Sequence, residues 1–320
     1  MGIEGFSSAP HYKFRHPAPR ICFSLTAAYR IYEGTQLQIA DENVDGISLV
    51  SCENATRPKG AFFILSPCVS VRDIKVVIAG HSHSAAISRA LVNASTGVQR
   101  QARDIALQHG IGGLRGGPGK PDYWDNLREL AQTRSVAVVW NGNQHNADFL
   151  LACDQPLDFF PRGYPDPSVL PQARLVAETV IREHFSPSLE PLRQLLTEMP
   201  AHHGLKRLLV GTPAPLFNNC DIRERLSKEP LFGEKAAAMG VDIAQAEIMP
   251  PTVRRKLWYV IQAMMAEIAE QGSWQFVPVA PDTMDERGFI RSELSAGDVT
   301  HANIEFGSMM VRQIARFLRS

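Results

Sequence analysis

The clearest pattern in the chain is a series of four short apolar runs, each ending in or followed by Gly, Asn or Pro and separated by stretches with helical spacing. The runs are IKVVIAG (74–80), VAVVWNG (136–142), RLLVGTPAP (207–215) and WQFVPVA (274–280). Continuous apolar runs without alternation are typical of strands buried on both faces, as in a parallel sheet covered by helices. The pattern therefore predicts an α/β fold with alternating strands and helices and right-handed crossovers.

Amphipathic spacing predicts the helices that accompany these strands. The strongest pattern runs from about residue 253 to 271, with Thr252 as the expected N-cap and Gly272 as the expected C-terminal stop. Such spacing indicates that one face of the helix is buried against the sheet. Similar patterns occupy 123–132, 171–185 and 308–318.

The first part of the chain has a different pattern of apolar and polar residues. Two apolar runs, GISLVSC (46–52) and GAFFILSPC (60–68), flank a linker that is rich in turn-forming residues. This arrangement predicts a β-hairpin or two paired strands. We therefore predict two units, a partly β N-terminal extension at 1–71 and an α/β domain at 72–320.

Composition and charge narrow the class of protein. The 320 residues include 33 Lys and Arg against 33 Asp and Glu, and 44% are hydrophobic, which fits a globular chain. The zero net charge lacks the basic footprint of a nucleic-acid or anionic-membrane partner, and we expect neither. No apolar run reaches the roughly 18 residues of a membrane span, and the first residues lack the apolar core of a signal peptide. Five Cys without a CxxC pair favour a reducing compartment, so we expect a cytoplasmic protein.

The first strand is followed by Gly80, His81, Ser82, His83 and Ser84, and then by a helical pattern. Sites in parallel sheets lie at the carboxyl ends of the strands. A serine at such a strand-to-helix turn is exposed, and the positive end of the following helix favours a developing negative charge. The alternative is an ordinary N-cap, with Ser82 or Ser84 accepting a helix N–H.

A second polar cluster, NGNQHN (141–146), follows the second strand. A run of polar side chains at a buried strand end is costly unless they form hydrogen bonds. An Asn side-chain N–H is a suitable donor to an oxyanion. The alternative is a hydrogen-bonded turn, because Asn-Gly is a turn dipeptide.

The third cluster lies near the end of the chain, in DVTHANIEFG (298–307). Asp298 and His301 are three residues apart at the head of a predicted helix. The carboxylate can accept a hydrogen bond from one imidazole nitrogen and leave the other nitrogen free as a base. The alternative is an Asp N-cap beside a surface His.

Together these clusters resemble the motifs of the SGNH hydrolase superfamily, the GDSL-like esterases and lipases. In that family the nucleophile lies in Gly-Asp-Ser, an oxyanion donor in Gly-x-Asn-Asp, and the acid and base in a late Asp-x-x-His. Here GHS (80–82) carries His in place of Asp, and NGNQ (141–144) changes the first Gly and the last Asp. The segment 298–307 matches well, and the layout covers about residues 72–320.

The resemblance implies a flavodoxin-like three-layer α/β/α fold and a serine hydrolase acting on a carboxylic ester. It implies that Ser82 is the nucleophile, that His301 is the base and that Asp298 orients the imidazole. No cofactor and no metal is expected. Family breadth suggests a small-molecule substrate, a short acyl ester carried by a carbohydrate, and leaves the oligomeric state unknown.

The oxyanion hole implied by the resemblance consists of the Ser82 N–H, Asn143 and a glycine between them. The segment GIGGLRGGPGK (110–120) offers that glycine, and its place in the chain favours Gly116. The other interpretation of this segment is a surface loop. Two further glycines are close candidates, Gly117 and Gly113.

The departures from the family motifs leave other hypotheses open. His81 or His83 could also act on Ser82, and Asn141 could replace Asn143. A metal-dependent hydrolase could use His81, His83 and His145. A non-catalytic carbohydrate- or acyl-binding protein is another alternative, and so is an acyltransferase that uses the same triad.

Two long segments are expected to border the site. The segment 147–168 is rich in Pro and aromatic residues, and it is long for a plain connection. Phe159, Phe160 and Tyr164 either line a pocket wall or pack this loop onto the core. Residues 217–250 form a second excursion towards the same rim.

Overall fold

The computed structural model of the chain describes residues 63–64, 73–152 and 155–320. Within these residues the strands form one six-stranded sheet and one two-stranded sheet. The main sheet contains β1 (Phe63–Ile64), β2 (Val76–Gly80), β3 (Ile111–Leu114), β4 (Ser135–Val139), β7 (Arg207–Val210) and β8 (Gln275–Val277). The small sheet contains β5 (Leu157–Asp158) and β6 (Arg174–Leu175).

The main sheet has the topology of a flavodoxin-like fold. Its order is β1-β3-β2-β4-β7-β8, and all neighbours are parallel except β1, which pairs antiparallel with β3. Taken in chain order, the five parallel strands are arranged 2-1-3-4-5, the doubly wound order whose ligands bind at the carboxyl edge. All residues of β2 and β4 are buried, as their apolar runs predict.

Helices cover both faces of the sheet, which confirms the predicted three-layer α/β fold. One core contains Val77 and Val138 of the sheet, and the other contains their chain neighbours Ile78 and Val139. The helices are α1 (Ser84–Ala90), α2 (Gly97–His109), α3 (Tyr123–Leu130), α4 (Gln144–Phe149), α5 (Glu178–Glu198), α6 (Asn219–Leu226), α7 (Pro230–Ala238), α8 (Pro251–Gln271) and α9 (Ile304–Arg319). Helices α3, α5 and α8 pack on the first face, and α1, α2, α6, α7 and α9 on the second.

Two helix predictions need correction. Helix α8 begins before the expected N-cap Thr252, because Pro250 is the N-cap and Pro251 fits the first helical position, where no N–H bond is needed. Gly272 ends the helix as predicted. The helix predicted at 171–185 begins only at Glu178, because Arg174 and Leu175 pair with β5.

Strand β3 is not among the predicted strands. Its sequence IGGL lacks the β-branched apolar run that marks the other strands, and the surface loop considered for this segment is wrong over Ile111–Leu114. Gly112 and Gly113 pair with Val77 and Ile78 of β2, while β1 pairs on the other side. Pairing on both edges, rather than local propensity, holds this segment extended.

Part of the N-terminal prediction lies outside the described residues. Phe63–Ile64 is a strand, within the predicted run 60–68. The expected partner run 46–52 and the expected boundary between 71 and 72 lie outside the described residues and stay predictions. Among the described helices, none combines the length and the apolar character that crossing a bilayer requires.

Candidate active site

The strand that carries the candidate nucleophile ends in close contact with its neighbour. A Cβ on Gly80 would lie 2.0 Å from the carbonyl oxygen of Val139, so only glycine fits there. The His81 N–H donates to the same carbonyl at 3.0 Å, and the chain then turns into α1. Ser82 lies in this turn and is exposed. The N-cap of α1 is His83, without a side-chain hydrogen bond, and Ser84 Oγ donates to the Gly80 carbonyl, so the serine N-cap alternative is wrong.

An aromatic cluster supports this turn from one side. The Gly80 N–H donates to Tyr123 Oη at 2.8 Å, and burial raises the pKa of Tyr123 to about 12, so the hydroxyl stays protonated. The His81 ring lies edge-on to the Trp140 ring, with 4.4 Å between their centroids, and its centroid lies 5.7 Å from that of Trp124. Burial lowers the pKa of His81 to about 4. His81 is therefore a neutral ring packed among aromatic side chains.

The acid and base candidates form a complete pair. His301 Nδ1 lies 2.8 Å from Asp298 Oδ2, and the N–H groups of Thr300 and His301 donate to Asp298 Oδ1 at 2.9 and 2.6 Å. Burial alone would raise the pKa of Asp298, but the hydrogen bonds from His301 and Thr300 hold it well below its usual range. His301 Nε2 is buried and has no hydrogen-bond partner among the described residues. The imidazole is thus oriented by one nitrogen, and the other is left for proton transfer.

Asp298 is not the N-cap of the last helix. That position belongs to Asn303, whose Oδ1 accepts the N–H groups of Glu305 and Phe306 at 3.0 and 3.2 Å. The alternative reading of Asp298 as a cap is therefore wrong, and its carboxylate is used entirely within its own turn.

Three residues whose roles the sequence does not indicate hold this turn in place. Arg225 of α6 donates to the Asp298 carbonyl at 2.8 Å. Asn146 Nδ2 donates to the Val299 carbonyl at 3.1 Å, and Glu229 Oε1 accepts the Val299 N–H at 2.9 Å. Asn146 belongs to the polar cluster found in the sequence, whereas Arg225 and Glu229 come from the 217–250 excursion.

The two halves of the site meet where α1 packs against α9. A Cβ on Gly307 would lie 2.1 Å from the carbonyl oxygen of Ala86, so the two helices touch through their main chains. The rings of His83 and His301 lie 5.1 Å apart between their centroids. The base therefore lies beside the residue that follows Ser82. Within the part of the chain that the structure describes, no hydrogen bond joins Ser82 to His301.

Asn143 lies at the neighbouring strand end and is half-buried. The preceding Gly142 has no room for a side chain, because a Cβ would lie 2.2 Å from Thr212 Oγ1. Gln262 Nε2 donates to that hydroxyl at 3.0 Å. Since Gly80 pairs with Val139 in the sheet, the Asn143 turn and the Ser82 turn lie at the same edge.

Of the glycine candidates, Gly116 has the conformation that most needs glycine. Its φ is +102°, and a Cβ there would lie 3.7 Å from the Tyr123 ring that supports Gly80. Gly113 lies within β3, and a Cβ on Gly117 would contact nothing within 4 Å. Gly116 therefore stays the predicted oxyanion glycine.

Among the described residues, His81, His83 and His145 do not assemble into a metal site. Burial, followed by the nearby His301, lowers the pKa of His83 well below its usual value, and burial lowers the pKa of His145 to about 3. Among the described residues, no group of three or more His, Cys, Asp or Glu side chains is placed to hold a metal ion. Asn141 is half-buried beside Gly142.

The aromatic residues of the 147–168 segment differ in placement. Phe159 is fully buried and packs the loop onto the core, whereas Phe160 is 54% exposed. Tyr164 is half-buried and lies 5.2 Å from the Tyr259 ring on α8. Phe159 therefore packs this loop onto the core, and a pocket wall formed by Phe160 and Tyr164 stays a prediction.

No family model matches the chain, and no curated protein matches it in sequence. Among solved structures, the chain is similar to a GDSL-like lipase from Bacteroides thetaiotaomicron, at 13% identity and a TM-score of 0.37, over 78% of this chain and 90% of that one. It is also similar to a catalytic mutant of an acetylxylan esterase from Geobacillus stearothermophilus, at 14% identity and a TM-score of 0.39, over 80% and 95%. Such remote likeness concerns the arrangement of strands and helices, and the chemistry of the site rests on its own geometry.

Proposed function

We propose that the protein is an ester hydrolase with Ser82 as nucleophile, His301 as general base and Asp298 as the residue that orients the base. The observation that carries this proposal is the Asp298–His301 pair. The 2.8 Å contact at Nδ1 fixes the tautomer and leaves Nε2 as the atom that takes a proton. Asp298 stays ionised because its pKa lies below the usual carboxyl range.

In the proposed reaction, Ser82 Oγ attacks the acyl carbonyl while His301 Nε2 takes its proton. The oxyanion is held by the Ser82 N–H, the Asn143 side chain and the Gly116 N–H. His301 then gives the proton to the leaving alcohol, and an acyl-enzyme remains on Ser82. Water, activated by the same imidazole, releases the acid. Catalytic hydrogen bonds often tighten only when substrate is bound, and the Ser82–His301 bond is the one expected to do so.

The proposed substrate class is a short acyl ester carried by a carbohydrate, and it rests on the resemblance found in the sequence. Transfer of the acyl group to an alcohol would use the same residues, with the alcohol in place of water. A cytoplasmic location remains a prediction from cysteine usage.

The test is a labelling experiment with an aryl ester assay beside it. Wild type, Ser82→Ala and Ser84→Ala are compared for hydrolysis of an activated short-chain aryl ester and for fluorophosphonate labelling followed by intact mass. Ser84 lies two residues further on, and its hydroxyl donates to the Gly80 carbonyl, so it is the matched control. We expect label and activity to disappear in Ser82→Ala and to persist in Ser84→Ala.

Three outcomes would contradict the proposal. Full activity in Ser82→Ala would end the triad model. Absence of label and activity in wild type would favour a binding protein, and turnover that chelation stops and Zn²⁺ restores would favour the metal-dependent alternative.

A further inference from the structure

Three consecutive cations, Arg254, Arg255 and Lys256, lie near the start of α8. Helix α8 joins the parallel strands β7 and β8, so its first turns lie at the carboxyl edge of the sheet, where the candidate site lies. Two of the three cations have internal partners. Arg254 is fully buried and donates to the Met249 carbonyl at 2.8 Å, and Lys256 forms a buried ion pair with Asp158 at 2.8 Å.

Arg255 differs from both of its neighbours. Its guanidinium carbon lies 5.3 Å from the centroid of the Tyr164 ring and 5.9 Å from that of Phe289. A Cβ on Gly288 would lie 2.8 Å from the guanidinium, so the group is packed against main chain as well. Among the described residues, the Arg255 guanidinium makes no hydrogen bond and no ion pair. The guanidinium is thus held in place by aromatic rings while its N–H donors stay unused.

A second arginine, Arg287, combines an aromatic contact with an ion pair. The guanidinium of Arg287 also lies over an aromatic ring, 3.7 Å from the centroid of Phe217. Arg287 in addition pairs with Asp285 at 2.7 Å. Both cations therefore have an aromatic platform, but only Arg287 has a carboxylate.

Asp166 is a carboxylate near Arg255, but it does not form an ion pair with the guanidinium. Asp166 is exposed, and its Oδ1 accepts the Ser168 N–H at 2.9 Å. Hydrogen bonding with Ser168 is the main cause that lowers the pKa of Asp166, and the charges of Lys256 and Arg255 act in the same direction. Asp166 forms no ion pair with Arg255 among the described residues, so one positive charge at this rim stays available.

Helix geometry connects Arg255 to the reacting centre. Trp258 is half-buried, and its Nε1 donates to the Thr212 carbonyl at 3.1 Å. Thr212 in turn contacts Gly142, which precedes the proposed oxyanion donor Asn143. Arg255 lies three residues before Trp258, about 4.5 Å along the helix axis. Arg255 therefore lies within about one helical turn of the residue whose indole contacts Thr212, on the side of the proposed oxyanion donor.

We propose that Arg255 binds a carboxylate or phosphate on the alcohol part of the ester, which makes the protein selective for acidic esters. This inference rests on the proposed function. A guanidinium presents a planar fork of N–H donors that matches carboxylate and phosphate oxygens, and charge-assisted bonds of this kind are the strong ones. The Tyr164 and Phe289 rings beside the guanidinium restrict its movement, which reduces the conformational freedom lost on binding.

The kinetic test compares acetylated glucose with acetylated glucuronate and acetylated glucose 6-phosphate. For wild type we expect kcat/KM to be about 10- to 100-fold higher for the acidic esters, mainly through KM. Arg255→Gln should reduce this ratio to near one, and Arg287→Gln, the matched control, should retain it. The two acidic esters distinguish a carboxylate subsite from a phosphate subsite. Equal kcat/KM for neutral and acidic esters in wild type, or a preference that survives Arg255→Gln, would overturn the proposal.

A binding measurement separates this proposal from the proposed catalytic function. In Ser82→Ala protein, calorimetry should show glucuronate or glucose 6-phosphate binding at least about 10-fold more tightly than glucose, and Arg255→Gln in the same background should abolish the difference. Absence of measurable binding by either acidic sugar would also overturn it. If Ser82→Ala keeps its activity while the binding difference depends on Arg255, the triad fails and the anion subsite stands.

Discussion

The contact between α1 and α9 gives the sharpest stability prediction, through Gly307→Ala. The new Cβ would lie 2.1 Å from the Ala86 carbonyl oxygen, which is backbone and cannot rotate away. The helices must separate by about 1 Å to relieve this clash, and overpacking of this kind costs about 1–3 kcal/mol. At roughly 2–4 °C per kcal/mol, the Tm should fall by about 2–12 °C.

The same displacement should also reduce activity, because Ser82 and His301 belong to the two segments that are forced apart. A misplacement of about 1 Å can cost up to about 10²-fold in rate. The measurement is thermal unfolding together with kcat/KM on an activated ester. Gly233→Ala in α7 is the matched control, since its Cβ would contact nothing within 4 Å. That change should keep the activity and raise stability by up to about 1 kcal/mol. A Gly307→Ala protein with wild-type Tm and wild-type kcat/KM would refute the reasoning.

Three further predictions concern the site and its buried histidines. Asp298→Asn should lower kcat by up to about 10⁴-fold in a steady-state ester assay, because the amide no longer fixes the tautomer of His301; an unchanged kcat would remove Asp298 from the mechanism. Asn143→Ala should lower kcat by about 10²–10³-fold if it donates to the oxyanion, while Asn141→Ala serves as the comparison, and the reverse result would exchange their roles. Burial lowers the pKa of His145 from its ordinary value of 6.5 to about 3. Between these values the unfolded state binds more protons, so stability should fall as pH drops below about 6.5. Thermal midpoints at pH 7 and pH 5 measure this fall, which should be shallower in His145→Gln; an equal slope would mean that other groups govern acid unfolding.

The sheet could be predicted largely because its strands are buried on both faces. The runs at 74–80, 136–142, 207–215 and 274–280 all contain strands, since continuous apolar sequence suits no other position in this architecture. Strand β3 could not be found in this way. Its two central glycines carry no side chain, and only pairing with β1 and β2 makes them a strand.

The residues of the candidate site also differ in whether they could be predicted from the sequence. Ser82, Asp298 and His301 could be proposed because the serine follows a recognisable strand and the other two are local in sequence. Their supports could not, since Arg225 and Asn146 reach the 298–301 turn from segments far away in the chain. Long-range hydrogen bonds to main-chain carbonyls leave no periodicity or motif in a sequence.

The main-chain contact of Gly307 with Ala86 also makes the site depend on one packing event. The proposed base is carried by the turn that leads into α9, whereas the proposed nucleophile is anchored in the centre of the sheet. Local opening of a helix that packs on the outside of the sheet requires less free energy than unfolding of the central strands. Loss of activity in mild denaturant should therefore precede loss of the sheet, and hydrogen exchange in α9 should follow the inactivation curve.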